Sequence, residues 1–155
     1  MSQGVSAAFD LLIGRIEALT SKTDSSQSFV CVDAGRGQEL LTDRRVNTLR
    51  LFELRIITPP HDDGQAGITG RKRLTAEVRV RYDVPRDTGL LERIMGEDAA
   101  QIINILRNPA YDLATTGITS LITGEPSSGP VLGQDGNPMA ILLTVPFDLL
   151  YQEAF

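Results

Sequence analysis

The chain has 155 residues, a formal net charge of −5, 41% apolar and 5% aromatic residues, and no Trp. That length suits a single domain over 1–155 with a core of its own, and so few rings predict a core of Leu, Ile, Val and Ala. The acidic balance argues against general nucleic-acid binding, which needs a basic footprint to displace counterions, and against attachment to an anionic membrane surface.

The apolar spacing of Val5, Ala8, Phe9, Leu11, Leu12, Ile16 and Leu19 predicts an amphipathic helix over residues 5–19, capped by Ser2 or Ser6. The polar run "TSKTDSSQS" breaks it, and "SFVCVDAG" reads as a short strand. Cys31 in that strand is the chain's lone cysteine. It excludes an intrachain disulfide and a cysteine-based zinc site, and reads as a small buried apolar residue. "GRGQELLTDRRVN" is irregular, with one helical turn at 39–41.

Two long strands follow, "NTLRLFELRIITPP" and "RLTAEVRVRYDVP". Phe52, Leu54 and Ile56 share one face of the first. In the second, Leu74, Ala76, Val78, Val80 and Tyr82 point one way, and Arg73, Thr75, Glu77, Arg79 and Arg81 the other. Adjacent in sequence, the two predict a long antiparallel hairpin with one buried and one polar face.

Helical spacing returns after a cap at Asp87 or Thr88, with Leu90, Leu91, Ile94, Met95, Ile102, Ile103 and Leu106 as its stripe. Gly96 interrupts it, and "GEDAAQ" resembles a fresh helix start, so the segment reads as two short helices or one kinked helix ending at Asn108-Pro109. "TTGITSLITGE" is a strand, "PSSGPVLGQDGNP" a Gly/Pro-rich loop, and "MAILLTVPFDLLYQ" a final strand with Ile141, Leu143, Val145, Phe147 and Leu149 on one face. Pro146 has no N–H for a ladder, which predicts an edge or a bulge there. The expected fold is α+β, in the order α-β-β-β-α-β-β. Two helices pack on one face of a mainly antiparallel sheet of four to five strands.

Catalytic signatures are sparse. His61, the only histidine, is followed by Asp62 and Asp63 in a predicted loop over 59–72. A general base and its orienting carboxylate need a fixed mutual geometry, which sequence neighbours in a Gly-flanked loop rarely hold. A divalent-metal hydrolase built on these three residues is the enzymatic alternative. No Gly-x-Ser-x-Gly elbow is present. "AGRGQ" has two of the glycines of a dinucleotide fingerprint but neither the third nor the following helix, and no Walker pattern occurs. Glu53 and Glu77 are explained as members of cross-strand Glu–Arg pairs. The expectation is no enzyme, no cofactor and no metal.

Interfaces remain. Arg outnumbers Lys 13 to 2; its planar, weakly hydrated fork suits protein contacts, although a GC-rich genome produces the same bias. The loops predicted over 59–72 and 125–138 are long for a compact domain and suit partner contacts. No apolar run approaches the roughly 18 residues of a membrane span. The first 19 residues lack the basic and apolar regions of a signal peptide, so the reading is soluble and intracellular.

The element order resembles the tail terminator proteins of long-tailed bacteriophages. "LFELRIITPP", "RLTAEVRVRYDVP", the helix "GEDAAQIINILRNP" and the ending "MAILLTVPFDLLYQEAF" carry the resemblance, and it spans nearly the whole chain in element order. It implies a homohexameric ring, assembled in the host cytoplasm and incorporated in the virion. The ring caps the tail tube, stops its growth and docks it to the head–tail connector, while DNA passes through its lumen without specific binding. Other neck or tail-tube proteins of the same virion fit parts of the pattern. On this reading the interface is drawn from Arg55, His61, Asp62, Asp63, Arg71, Lys72, Arg73, Glu77, Arg79 and Arg81.

Overall fold

A computed structural model describes residues 4–19, 28–32, 49–62, 71–83, 88–107, 118–132 and 134–152. Its elements are α1 (Val5–Glu17), β1 (Ser28–Cys31), β2 (Leu49–Asp62), β3 (Arg71–Asp83), α2 (Thr88–Arg107), β4 (Ile118–Thr123), β5 (Ser127–Leu132) and β6 (Pro138–Gln152). The strands form one sheet in the order β1-β2-β3-β6-β4, with β5 also on β6. The α+β class is as expected, with two helices. The sheet has six strands rather than four or five and is mixed, because β1 pairs β2 in parallel whereas the other pairs are antiparallel. The additional strand is β5, which occupies residues expected to be loop.

The long hairpin is present, with Phe52 opposite Val80 and Leu54 opposite Val78. The predicted inward rows of β3 and β6 are the core: Leu74, Ala76, Val78, Val80 and Tyr82 beside Leu143, Val145, Phe147 and Leu149. Both helices cover this one face. Ala8, Leu12 and Ile16 of α1 and Leu91, Met95, Ala99, Ile102 and Leu106 of α2 complete the cluster. Its bulk is aliphatic, but Phe29, Phe52 and Phe147 are the largest fully buried side chains. The Phe29–Phe52 and Phe9–Phe147 pairs meet edge to face at 6.4 Å, a favoured ring geometry. Cys31 packs against the cluster but is only partly buried.

Helix α2 is a single element through Gly96, not two. Asp98 does not open a second helix; it is fully buried and accepts a 2.6 Å hydrogen bond from the Tyr82 hydroxyl. Helix α1 starts at Gly4 with no side-chain cap, so Ser6 does not cap it. Gly4 has φ 105°, a conformation only glycine enters freely. Among the described residues no helix is long and apolar enough to cross a membrane. The expected cap residues Ser2 and Asp87, the turn at 39–41, the "AGRGQ" segment and the stop at Asn108-Pro109 lie outside the described residues.

Pro146 does not put β6 at an edge, nor does it bulge β6 against β3, whose pairing runs unbroken from Arg71↔Gln152 to Asp83↔Ala140. The other edge of β6 is shared. β4 pairs with its C-terminal half and β5 with its N-terminal half. The switch falls opposite the proline. Gly124 N–H donates to Pro146 O at 2.8 Å. In an antiparallel hydrogen-bonded pair each residue both donates and accepts, and Pro146 has nothing to return. The ladder therefore breaks after Gly124 and resumes at Ser127↔Thr144. β5 itself contains Pro130, tolerated because β5 is an edge strand.

Candidate interaction surface

Side chains alternate across a strand, so the inward row of β3 leaves Arg73, Thr75, Glu77, Arg79 and Arg81 on the outer face, away from the helices. The register places Glu53 opposite Arg79, Arg55 opposite Glu77, and His61 opposite Arg73. From the other side β6 sets Thr144 opposite Arg79, Pro146 opposite Glu77 and Asp148 opposite Thr75. Arg55, His61, Arg73, Glu77 and Arg79 thus share one face of the sheet, as expected.

Three ion pairs stand on this face. Arg79 Nη1 donates to Glu53 Oε1 at 3.0 Å, and its Nε lies 3.8 Å from Glu77 Oε1. Arg73 Nη1 lies 3.3 Å from Asp148 Oδ2. Such part-exposed pairs each contribute about 1 kcal/mol or less. Their larger effect is to fix where guanidinium and carboxylate groups stand, so the face presents a set pattern of charge.

Four expectations change. Arg81 is only 7% exposed, so it is part of the packed face and not of its accessible charge. It lies opposite Leu142, and Leu142 packs with Val32 and Leu51 in a second, small cluster on this side of the sheet. Lys72 falls one position out of phase with Arg73 and so belongs to the opposite side of β3. The loop expected over 59–72 is shorter, because both strands run into it: His61 pairs with Arg73 and Asp62 with Lys72. His61 therefore stands on a strand, with its Nδ1–H donating to the Pro59 carbonyl oxygen at 2.9 Å. The predicted loop over 125–138 is mostly β5 and the tight turn after it. Arg71 lies on β3 opposite Gln152, and Asp63 lies outside the described residues.

β2 outlasts its neighbour β1, which ends opposite Phe52. From Arg55 to His61 every β2 side chain is exposed. The hairpin register shifts twice there, between Ile56 and Thr58 and between Thr58 and His61. Bulges and the Pro59-Pro60 pair are the devices by which edge strands avoid unwanted pairing.

Sequence reasoning missed Asp148 as Arg73's partner. The two lie far apart in the chain, and only the β3–β6 register brings them together. Asp98 was missed as a buried polar residue, although its spacing from Met95 and Ile102 places it on the apolar stripe. Among the described residues no three His, Cys, Asp or Glu side chains gather into a group that could hold a metal ion. Hydrogen bonds from the backbone and then the side chain of Asn137 hold the Asp135 carboxyl below the usual aspartate value. It belongs to the turn joining β5 to β6, where Gly136 takes φ 80°. No protein-family model matches the chain, and no curated protein matches its sequence.

Proposed function

We propose that this chain is a structural subunit of a bacteriophage tail, a terminator that closes into a ring of six on the end of the tail tube and joins the tube to the head connector. The observation that carries the reading is the β2–β3 hairpin. It is an arm whose outer edge has no strand partner beyond Phe52 among the described residues, continuous with the sheet and bearing ion pairs already made. A surface whose side chains are ordered before contact loses less entropy on docking. The exposed members, Arg55 and His61, with the half-buried, Asp148-paired Arg73 beside them, are the side chains offered to the tube or the connector. The net charge of −5 suits a ring that threads DNA, since an acidic wall repels phosphate.

Electron microscopy of the purified protein, alone and mixed with the tail tubes of its phage, tests this. Rings that seat on tube ends and stop tube extension are expected. Purified protein that neither forms rings nor binds tubes overturns the proposal.

A further inference from the structure

The turn from β5 to β6 contains a chemically fragile bond. Asp135 and Gly136 stand exposed in it. In an Asp-Gly pair the backbone nitrogen of the glycine can attack the aspartate side chain, because glycine has no side chain to obstruct the approach. A bond forms between Gly136 N and Asp135 Cγ, and one carboxyl oxygen leaves as water. Water then reopens the five-membered imide at either carbonyl. Opening at the α-carbonyl carbon breaks its original bond to Gly136 N and leaves an isoaspartate, whose main chain runs through Cγ and is one carbon longer. Nothing is consumed overall, since the water lost in the first step is regained in the second.

A different residue at 136 would remove the hazard but strain the turn. Gly136 has φ 80°, in the left-handed region that residues with a side chain avoid. Protection comes from the next residue. Asp135 Oδ1 accepts from Asn137 N–H at 3.0 Å, and Oδ2 accepts from the Asn137 side-chain amide at 3.1 Å. One residue thus holds both oxygens, so the carboxyl cannot turn Cγ toward Gly136 N without breaking these hydrogen bonds. Hydrogen bonds to the charged form also favour it, whereas the oxygen that leaves as water must first be protonated. The guard itself does not decay by the same route. Asparagine forms an imide by attack from the N–H of the following residue, and Pro138 has none.

We infer that Asn137 guards the Asp135–Gly136 bond against conversion to isoaspartate, a modification that would lengthen the backbone of the turn setting β5 against β6. What is at stake is pairing, since Leu132 is in register with Pro138 across this turn. The inference stands on this turn alone and is independent of the tail assignment.

Ageing the full chain in mildly acidic buffer below its melting temperature tests it, with isoaspartate at position 135 measured by digestion and fragmentation mass spectrometry. Asn137→Ala removes the donor to Oδ2, and Asn137→Asp does so while keeping the shape of the side chain; thermal melts confirm that both remain folded. The folded wild type is expected to convert far more slowly than the same chain unfolded in urea. Each folded variant should convert several-fold faster than the folded wild type, and in urea all three should convert alike. A folded wild type that ages as fast as the unfolded chain overturns the inference, as do folded variants no faster than the wild type. Variants that are faster by the same factor in urea place the effect in the local sequence and overturn it too.

Discussion

Replacing Gly124 with Ala tests how the β4–β5 edge is built. A Cβ at that position would lie 2.9 Å from Pro146 Cγ, 3.6 Å from its Cβ and 3.7 Å from its carbonyl oxygen. Carbon atoms in contact prefer about 3.5–4.0 Å, so the ring and the new methyl must part by about half an ångström or more. The ring is rigid and β6 is held on both sides, so neither atom moves freely. Overpacking of this kind costs about 1–3 kcal/mol. The φ of Gly124 lies outside the left-handed region, so the cost is steric rather than conformational. Pro146→Ala removes the offending Cγ and leaves only the ordinary contacts at 3.6 and 3.7 Å. It also supplies a donor toward Gly124, worth about 1 kcal/mol, against a comparable loss from a freer unfolded chain. A double-mutant cycle read by urea unfolding should therefore give a coupling of about 1–2 kcal/mol. If Gly124→Ala costs the same with and without the proline ring, the steric account of the glycine is wrong.

Tyr82→Phe removes a donor from the fully buried Asp98 carboxyl and should lower stability by about 1–3 kcal/mol; a change below about 0.5 kcal/mol in chemical denaturation contradicts that role. Gly96→Ala should raise the melting temperature, by up to about 1 kcal/mol of stability, because α2 is unbroken there and a Cβ meets nothing within 4 Å; a loss of stability would show that the glycine serves the helix. NMR titration should place the Asp135 carboxyl below the ordinary aspartate value, and Asn137→Ala should return it toward that value. A pKa depressed in the fold makes a contribution present above the unfolded value of about 3.9 and lost as pH falls through the folded value, so any weakening of the β5–β6 turn appears only in acid.

The inward rows of β3 and β6 could be read directly because strict alternation over many residues has one structural meaning. What failed had a tertiary cause. "SSGPVL" does not alternate and contains Gly129 and Pro130, yet it pairs, because β6 offers a waiting edge and an edge strand needs donors on one side only. Pro146 argued for an edge, but the missing donor is accommodated by a break in the neighbouring strands. β1 spans only Ser28–Cys31, too short for any pattern to reveal that it runs parallel to β2. Asp98 looked like a helix-start acid until the Tyr82 hydroxyl was found above it. On the charged face, the residues of the hairpin were legible as a set because local pairing fixes them. The burial of Arg81 and the Arg73–Asp148 contact depend on strands that meet only in the folded sheet.

The position of β6 also governs when the domain can fold. It comes last of the eight described elements in chain order, yet β3, β4 and β5 all pair with it. During synthesis the hairpin and α2 emerge with no sheet to close, and the inner edge of β3 waits for residues made dozens of positions later. Contacts that distant in sequence form slowly. Until β6 arrives, β4 and β5 have no strand to pair with and one edge of β3 stays open, so the sheet and the core row that β6 supplies close only at the end.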